Sequence, residues 1–301
     1  VKILISGSHG LLGSALFSVL EAAGHEPVRL IRRPGNGILW NPESGYIDPK
    51  SMEGFDAVIH LAAENIGSGV WTKKKKEKIH SSRINGTRLL ANTIATLSKP
   101  PVVFISASAS GYYGNRESEI LDEDSAPAEG FLARVCQEWE KASLAAGGRN
   151  GVRVLQTRFG LILSSQGGIL GRLRLPLKFG LGAKLGSGTQ YHPWVVIDDA
   201  VAAIEHILAT PVLSGPVNIA APQAVTNYEF TQILGRVLRR PVFFSLPAWL
   251  LKLAPGGMAQ ELLLSSARLI PQKLYDSGFR FKFPQLEPAL QYLYTGKNYY
   301  L

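Results

Sequence analysis

The sequence predicts an α/β fold, a doubly wound parallel sheet with a smaller α+β substrate lobe toward its C-terminus. Three observations carry that expectation. The chain opens on a strand, a glycine turn and a helix, VKILISGSHGLLG over residues 1–13. Short apolar runs rich in β-branched residues then alternate with amphipathic helical stretches, the pattern of a parallel sheet covered on both faces. From residue 164 the composition shifts toward glycine and basic side chains. Residues 1–163 are therefore expected to form the sheet domain, completed by strands at about 190–220, and residues 164–301 to be mostly the second lobe.

Lys2 to Ile5 form the first strand. Gly7, Gly10 and Gly13 follow at three-residue spacing, and Leu11, Leu12, Ala15, Leu16, Val19 and Leu20 mark the apolar face of the helix that starts at once. In that setting the first glycine permits a tight turn and the second lets backbone approach a pyrophosphate. The third lets helix pack closely on strand. The helix N-terminus, with free N–H groups and the positive end of its dipole, faces the phosphates. Gly7, His9, Gly10, Leu11, Leu12 and Gly13 are the expected contacts of a Rossmann-type dinucleotide site.

Gly24-His25 turns the chain into a second strand, Pro27 to Ile31, which ends at Arg32 and Arg33 with no acid from residue 28 to 35. At this place an acidic residue would accept the 2′-hydroxyl of NAD, whereas arginine matches the 2′-phosphate of NADP through charge-assisted bonds. NADP(H) is the expected cofactor, with Arg32 and Arg33 on its phosphate. Ile38 to Trp40 and Tyr46-Ile47 read as a small hairpin. Asp56 to Leu61 is a further strand ending in His60-Leu61-Ala62-Ala63, where small residues leave room for adenine or ribose. His60, Leu61 and Ala62 are assigned contact rather than chemistry.

Trp71 to Leu97 is helical and presents Arg83 on a face that can approach the cofactor or the sheet. After Pro100-Pro101 the strand Val102 to Ile105 runs into SASASGYYG, residues 106–114. Ser106 is an expected cofactor contact. Ser108, Ser110 and Tyr113 are the candidate catalytic groups, because hydroxyls and a phenol at a strand's carboxyl edge can hydrogen-bond a substrate carbonyl or alcohol. A helix from about Phe131 to Ala146 and a strand from Gly151 to Arg158 lead to Leu161, a further expected contact.

Ser164 to Gly188 holds Arg172, Arg174, Lys178 and Lys184 but no acid, and is expected to be a mobile binding segment over an anionic ligand. Asp198 or Asp199 fits the N-cap of a helix over 200–208. Thr226 to Glu229 matches a capping box opening a helix to about Leu238. Strands at 216–220 and 241–246, helical stretches at 247–253 and 259–264, and a last helix ending near Tyr294 complete the chain.

The 301 residues are 46% hydrophobic and 18% charged, with a net charge of +9. That charge suits nucleic acid, an acidic membrane surface or an anionic ligand. No helix-turn-helix, RNP motif or zinc finger is present, so nucleic acid is not the expected partner. No apolar run approaches the roughly 20 residues that span a bilayer, and with a strand at residue 1 no signal peptide is expected. The single cysteine, Cys136, excludes an intrachain disulfide and a zinc site built on cysteine pairs. It reads as a small buried helix residue. A cytoplasmic protein with no metal site is the expectation.

GxxGxxG at 7–13, HLAA at 60–63 and HPWVVIDD at 192–199 resemble an extended short-chain dehydrogenase/reductase. ENI at 64–66, WTKKKKEKIHSSRINGTRLL at 71–90, SASASGYYG at 106–114, CQEWEKA at 136–142 and RLIPQKLYDSGFRFKFPQLEPAL at 268–290 are similar to its atypical, epimerase-like branch. Members of that branch are described as nucleoside-diphosphate-sugar epimerases or SulA-like cell-division proteins. The likeness covers nearly the whole chain and implies NADP binding through Gly7, Gly10, Gly13, Arg32, the 60–62 strand end, Arg83 and Leu161.

Ordinary members of the superfamily pair a serine with Tyr-x-x-x-Lys, the lysine lowering the tyrosine pKa for proton transfer. Here the corresponding helix reads FLARVCQEWEKA. Phe131 or Leu132 stands near the tyrosine position and Val135 or Cys136 near the lysine. The one literal match, Tyr46 to Lys50, lies in a turn-rich stretch and is chance.

Two functions follow as expectations. One is an NADP-dependent oxidoreductase or epimerase exchanging hydride with an anionic or polar carbonyl or alcohol compound near Ser108 and Tyr113. The other is a non-catalytic NADP(H)-binding sensor or partner-binding protein. A small-molecule substrate is the expected partner, and a homodimer is compatible with the helix pairs such sheets expose.

Overall fold

Strand β1 (Lys2–Ser6) is the centre of the main sheet, and its four residues after Lys2 are buried because the sheet is covered on both faces. The computed structural model describes residues 1–148, 151–180, 182–253 and 255–296. Helix α1 (Leu11–Ala22) follows the glycine turn and leads to β2 (Glu26–Ile31). The hairpin is β3 (Ile38–Asn41) with β4 (Tyr46–Ile47), antiparallel as its turn requires. Then come β5 (Ala57–His60), α2 (Lys73–Thr96), β6 (Val103–Ala109), β7 (Ile120–Leu121), α3 (Phe131–Ser143) and β8 (Arg153–Phe159).

The later elements are β9 (Leu161–Ser164), α4 (Gly168–Lys178), β10 (Ala183–Leu185), β11 (Tyr191–His192), β12 (Trp194–Val196), α5 (Ile197–Ala209) and β13 (Gly215–Ile219). They continue with β14 (Val225–Thr226), α6 (Asn227–Val237), β15 (Phe244–Leu246), α7 (Ala248–Lys252) and α8 (Met258–Leu262). The chain closes with β16 (Arg268–Leu269), α9 (Gln272–Asp276) and α10 (Leu286–Thr295).

The eight-stranded sheet runs β13-β8-β6-β5-β1-β2-β3-β4. Every neighbouring pair is parallel except the β3–β4 hairpin. From β1 the chain builds outward to β2 on one side and later to β5, β6, β8 and β13 on the other. The strand order therefore reverses between β1 and β5, and the loops leaving their carboxyl ends part to form the crevice where such sheets hold ligands. One face packs β1, β6 and β8 against α1 and α5 through Ile5, Leu16, Leu20, Ile105, Ile204 and Ile207. The other packs Leu4, Val58 and Phe104 under α2 and Trp40.

A separate core joins Trp194, Phe230, Leu234, Phe283 and Leu290 under α6 and α10. The final segment is tied back by β16, which pairs with β7.

Three local expectations change. Residues 164–188 are not an irregular loop, because Ile169, Leu170 and Leu173 seat α4 on that second core. The side chains of Arg174 and Lys178 lie outside the described residues. Neither Asp198 nor Asp199 caps α5, whose N-cap is Val196. Asp199 instead accepts the backbone N–H groups of Lys282 and Phe283 at 2.7 and 2.9 Å, fastening the C-terminal segment. The strand expected over 241–246 forms only at β15, which pairs with β10 outside the main sheet. The capping box at Thr226 and Glu229 is present as the sequence suggests.

Candidate nucleotide site and the cleft beside it

The glycine turn is a backbone cradle with no room for side chains. Gly7 takes a φ of +72°, and a Cβ there would lie 2.7 Å from the Ala62 nitrogen and the Leu61 carbonyl carbon. The turn therefore abuts the end of β5, at the point where strand order reverses. A Cβ on Gly13 would strike the Gly7 carbonyl oxygen and come within 2.8 Å of its carbon, so α1 presses directly on the turn. The Gly10 N–H closes the turn on the Gly7 oxygen at 2.9 Å. Gly10 is also the N-cap of α1, with no side-chain hydrogen bond and no acid in the first turn. The helix presents backbone N–H groups and the positive end of its dipole, which suits a phosphate.

His9 and Gly10 are exposed, Leu11 is half-buried, and Leu12 and Gly13 are buried behind the turn. Arg32 and Arg33 are exposed beyond the end of β2. Leu61 and Ala62 are half-buried at the end of β5, and Leu161 is 37% exposed at the start of β9. The sequence reading missed Arg29. Its Nη1 donates to the Ser8 carbonyl at 2.8 Å and its guanidinium covers the Phe17 ring at 3.7 Å, bracing the turn from below.

Several expected site residues are spent inside the protein. His60 has no exposed surface; its Nδ1 lies 2.5 Å from the Ser6 hydroxyl and its ring meets Trp40 edge-on. Burial pushes its pKa down to about 3. It is a packing residue, not a surface for a ligand. Ser106 is also wholly buried. Arg83, 9% exposed, donates to the carbonyls of Glu64 and Ile79 at 3.1 Å and lies over Trp139, so it pins the loop after β5 to α2.

The catalytic candidates are corrected in the same way. Ser108 is 3% exposed and donates to Glu140 Oε1 at 2.6 Å. Tyr113 is fully buried. Its hydroxyl sits 2.8 Å from both the Asp122 carbonyl and Asn218 Oδ1, and accepts from Arg158 Nη1 at 2.8 Å. Burial raises the Tyr113 pKa above the usual phenol value, with Arg158 opposing the shift. Such a phenol holds its proton and faces no substrate. Ser110 stays half-buried on the turn after β6, as does Tyr112, whose ring packs 3.5 Å from the Arg158 guanidinium.

The polar network beneath these groups was not foreseen. In the register of β6 and β8, Ser108 stands opposite Arg158, and α3 brings Glu140 to both. Burial alone would pull the Arg158 guanidinium down, but Glu140 holds its pKa above the usual arginine range. Glu123, 4% exposed, accepts the Asn218 N–H at 3.0 Å and joins the network to β13. The available signal was a charge inside a strand of the main sheet, Arg158 near the end of β8.

On α3, Leu132, Val135 and Cys136 are buried, and Phe131 is half-buried against Trp71. Burial pushes the Cys136 thiol up to about 12, which makes it inert. Glu261 of α8 accepts the N–H groups of Phe131 and Leu132 at 2.9 and 3.1 Å and so caps α3 from the C-terminal lobe. Arg172 of α4 donates to the Gly67 carbonyl, closing that lobe on the loop after β5.

The parallel sheet, its reversal at β1 and β5, and the close-packed glycine turn there define a protein of the Rossmann-like, nucleotide-binding α/β class. The model of the NAD dependent epimerase/dehydratase family matches residues 3–220, and that of a domain of unknown function, DUF1731, matches residues 246–293. Epimerase family protein Mb2239 of Mycobacterium bovis is 42% identical over 97% of this chain and 97% of its own length. Epimerase family protein YfhF of Bacillus subtilis is 34% identical over 99% of each. The crystal structure of the human epimerase family protein SDR39U1 with NADPH superposes with a TM-score of 0.89 at 31% identity, over 97% of this chain and 99% of that one. The chain belongs to the NAD dependent epimerase/dehydratase family.

Proposed function

We propose that this chain binds NADPH across the glycine turn and exchanges hydride with a polar carbonyl or alcohol compound held between the sheet and the C-terminal lobe. The observation that carries the reading is the cradle in which Gly7 and Gly13 have no space for a Cβ. NADPH in the human relative supports it. The first-turn N–H groups of α1 would hold the diphosphate, and Arg32 and Arg33 the 2′-phosphate. NADPH, when bound, supplies a hydride from its nicotinamide ring. Leu61, Ala62 and Leu161 would border the bound cofactor, and Ser110, half-buried on the turn after β6, would donate a hydrogen bond to a substrate oxygen.

A cavity of about 540 Å³ opens where the chain leaves the turn after β6. Asn115, Gln190, Gln260 and Ser266 supply neutral donors and acceptors, with one cation, Lys252, and one carboxylate, Glu117. Its size is that of a small-molecule site, and its chemistry favours a hydroxylated compound with few charges.

NADPH oxidation followed at 340 nm against sugar nucleotides, quinones and small ketones tests the proposal. Turnover that falls in Ser110→Ala, with NADPH affinity retained, supports it. NADPH binding without turnover on any of these overturns the hydride half. Absence of NADPH binding overturns the whole.

A second reading, a nucleotide-binding sensor, is favoured by α3, where apolar Leu132 and Cys136 stand in the stretch that holds the proton-transfer pair in ordinary relatives. A protein captured only in the presence of NADPH would favour it over catalysis.

A further inference from the structure

The second lobe carries an apolar surface that the nucleotide site does not use. All three residues of β15 are exposed, and α7 buries none of its five. From Phe243 to Leu253, Phe243 is 82% exposed, Phe244 54%, Trp249 66% and Leu253 69%, with Leu246 and Leu250 also open. Trp249, Leu250 and Leu253 are spaced to share one helix face, while Ala248 and Lys252 line the cavity on the other. Strand and helix both leave large apolar side chains open to solvent.

The segment that carries it is basic between Glu229 and Glu261. Residues 230–260 contain Arg236, Arg239, Arg240 and Lys252 and no carboxylate. Arg236 is paired with Glu287, and Arg239 and Arg240 are exposed four and three residues before Phe243. A symmetric contact with a second copy would bring these arginines toward their own counterparts. Exposed Trp, Phe and Leu beside arginine is the composition that inserts into the headgroup layer of an anionic bilayer.

We infer that the β15–α7 surface docks the protein on an anionic membrane, with Phe243, Phe244, Trp249 and Leu253 entering the interface and Arg239 and Arg240 meeting lipid phosphates. No membrane partner is expected from the sequence, which has no apolar run of bilayer length, and among the described residues no helix is long and apolar enough to cross a bilayer. Surface docking needs no such helix.

Trp249 makes the inference testable in the intact chain. The other four tryptophans, Trp40, Trp71, Trp139 and Trp194, are each at most 3% exposed. Acrylamide quenching of the fluorescence that Trp249→Phe removes therefore reports this surface alone. Vesicles of mixed phosphatidylglycerol and phosphatidylcholine are expected to shield it, and pure phosphatidylcholine vesicles are not.

In co-sedimentation, Arg239→Gln with Arg240→Gln should weaken binding roughly 30-fold at low salt. Phe243→Ser with Trp249→Ser should abolish it while the thermal midpoint stays unchanged. Undiminished sedimentation of the Phe243/Trp249 variant overturns the inference. So does shielding of Trp249 by raised protein concentration without lipid, which would assign the surface to a second copy. Equal shielding by polyglutamate would assign it to an acidic protein and overturn it as well.

Discussion

Glu140 and Arg158 meet in a two-point ion pair, Nε to Oε1 and Nη2 to Oε2 each 2.8 Å, with side chains only 12% and 3% exposed. The pair joins α3 to β8 under the turn that carries Ser110. Removing one partner of a buried pair leaves an uncompensated charge, which costs about 3–5 kcal/mol. Glu140→Ala is expected to lower unfolding stability by that amount in urea titrations. Arg158→Met together with Glu140→Leu should recover much of the loss, and an equal loss in the double variant would contradict this account.

The Tyr113 hydroxyl belongs to the same network. Tyr113→Phe should reduce stability by about 1–3 kcal/mol, the cost of leaving buried polar partners unmatched. NADPH affinity should be unchanged. A variant with wild-type stability and abolished turnover would instead return Tyr113 to a catalytic role.

Gly13→Ala places a methyl against the Gly7 backbone, which cannot move without opening the turn. The expected overpacking cost is about 1–3 kcal/mol. Distortion of the cradle should also weaken NADPH binding about tenfold, the equivalent of about 1.4 kcal/mol. Differential scanning calorimetry and fluorescence titration measure the two effects separately.

Arg32→Asp tests the 2′-phosphate assignment. Loss of a charge-assisted bond should lower NADPH affinity on the order of 10- to 100-fold and leave NADH binding level or improved. An unchanged ratio of the two affinities would remove Arg32 from the pocket.

His60 gives the protein an acid-sensitive core. Its folded pKa is lowered to about 3 from the ordinary 6.5, so between these values the unfolded chain binds a proton that the folded chain refuses. Its contribution is complete above pH 6.5 and is lost as pH falls toward 3, at up to about 1.4 kcal/mol per pH unit. His60→Gln should flatten the dependence of the thermal midpoint on pH in this window. Parallel curves for the two proteins would count against it.

Backbone requirements were legible in the sequence because each is local. Gly7, Gly10 and Gly13 announce the turn by spacing, Thr226 and Glu229 announce a capping box, and Ile38 to Trp40 with Tyr46-Ile47 announce a hairpin. Contacts between distant elements were not. His60, Ser106 and Arg83 sit at the right strand end or helix, yet the sheet's pleat and the packing of α2 turn them inward. Ser164 to Gly188 read as a loop because its glycines and cations masked Ile169, Leu170 and Leu173, whose burial depends on a core assembled from α6 and α10.

By itself, the sequence determined the alternation of the main-sheet strands with their helices, the glycine turn after β1 and the arginines after β2, since φ preference, periodicity and charge are properties of neighbouring residues. Only the tertiary structure decided which hydroxyls stay partly open to solvent. Ser108 and Tyr113 lie within a few residues of Ser110, but Glu140, Arg158 and Asn218 approach from α3, β8 and β13 and bind the first two inside. A buried charge must find partners wherever the fold supplies them, and those partners come from strands and helices far apart in the chain.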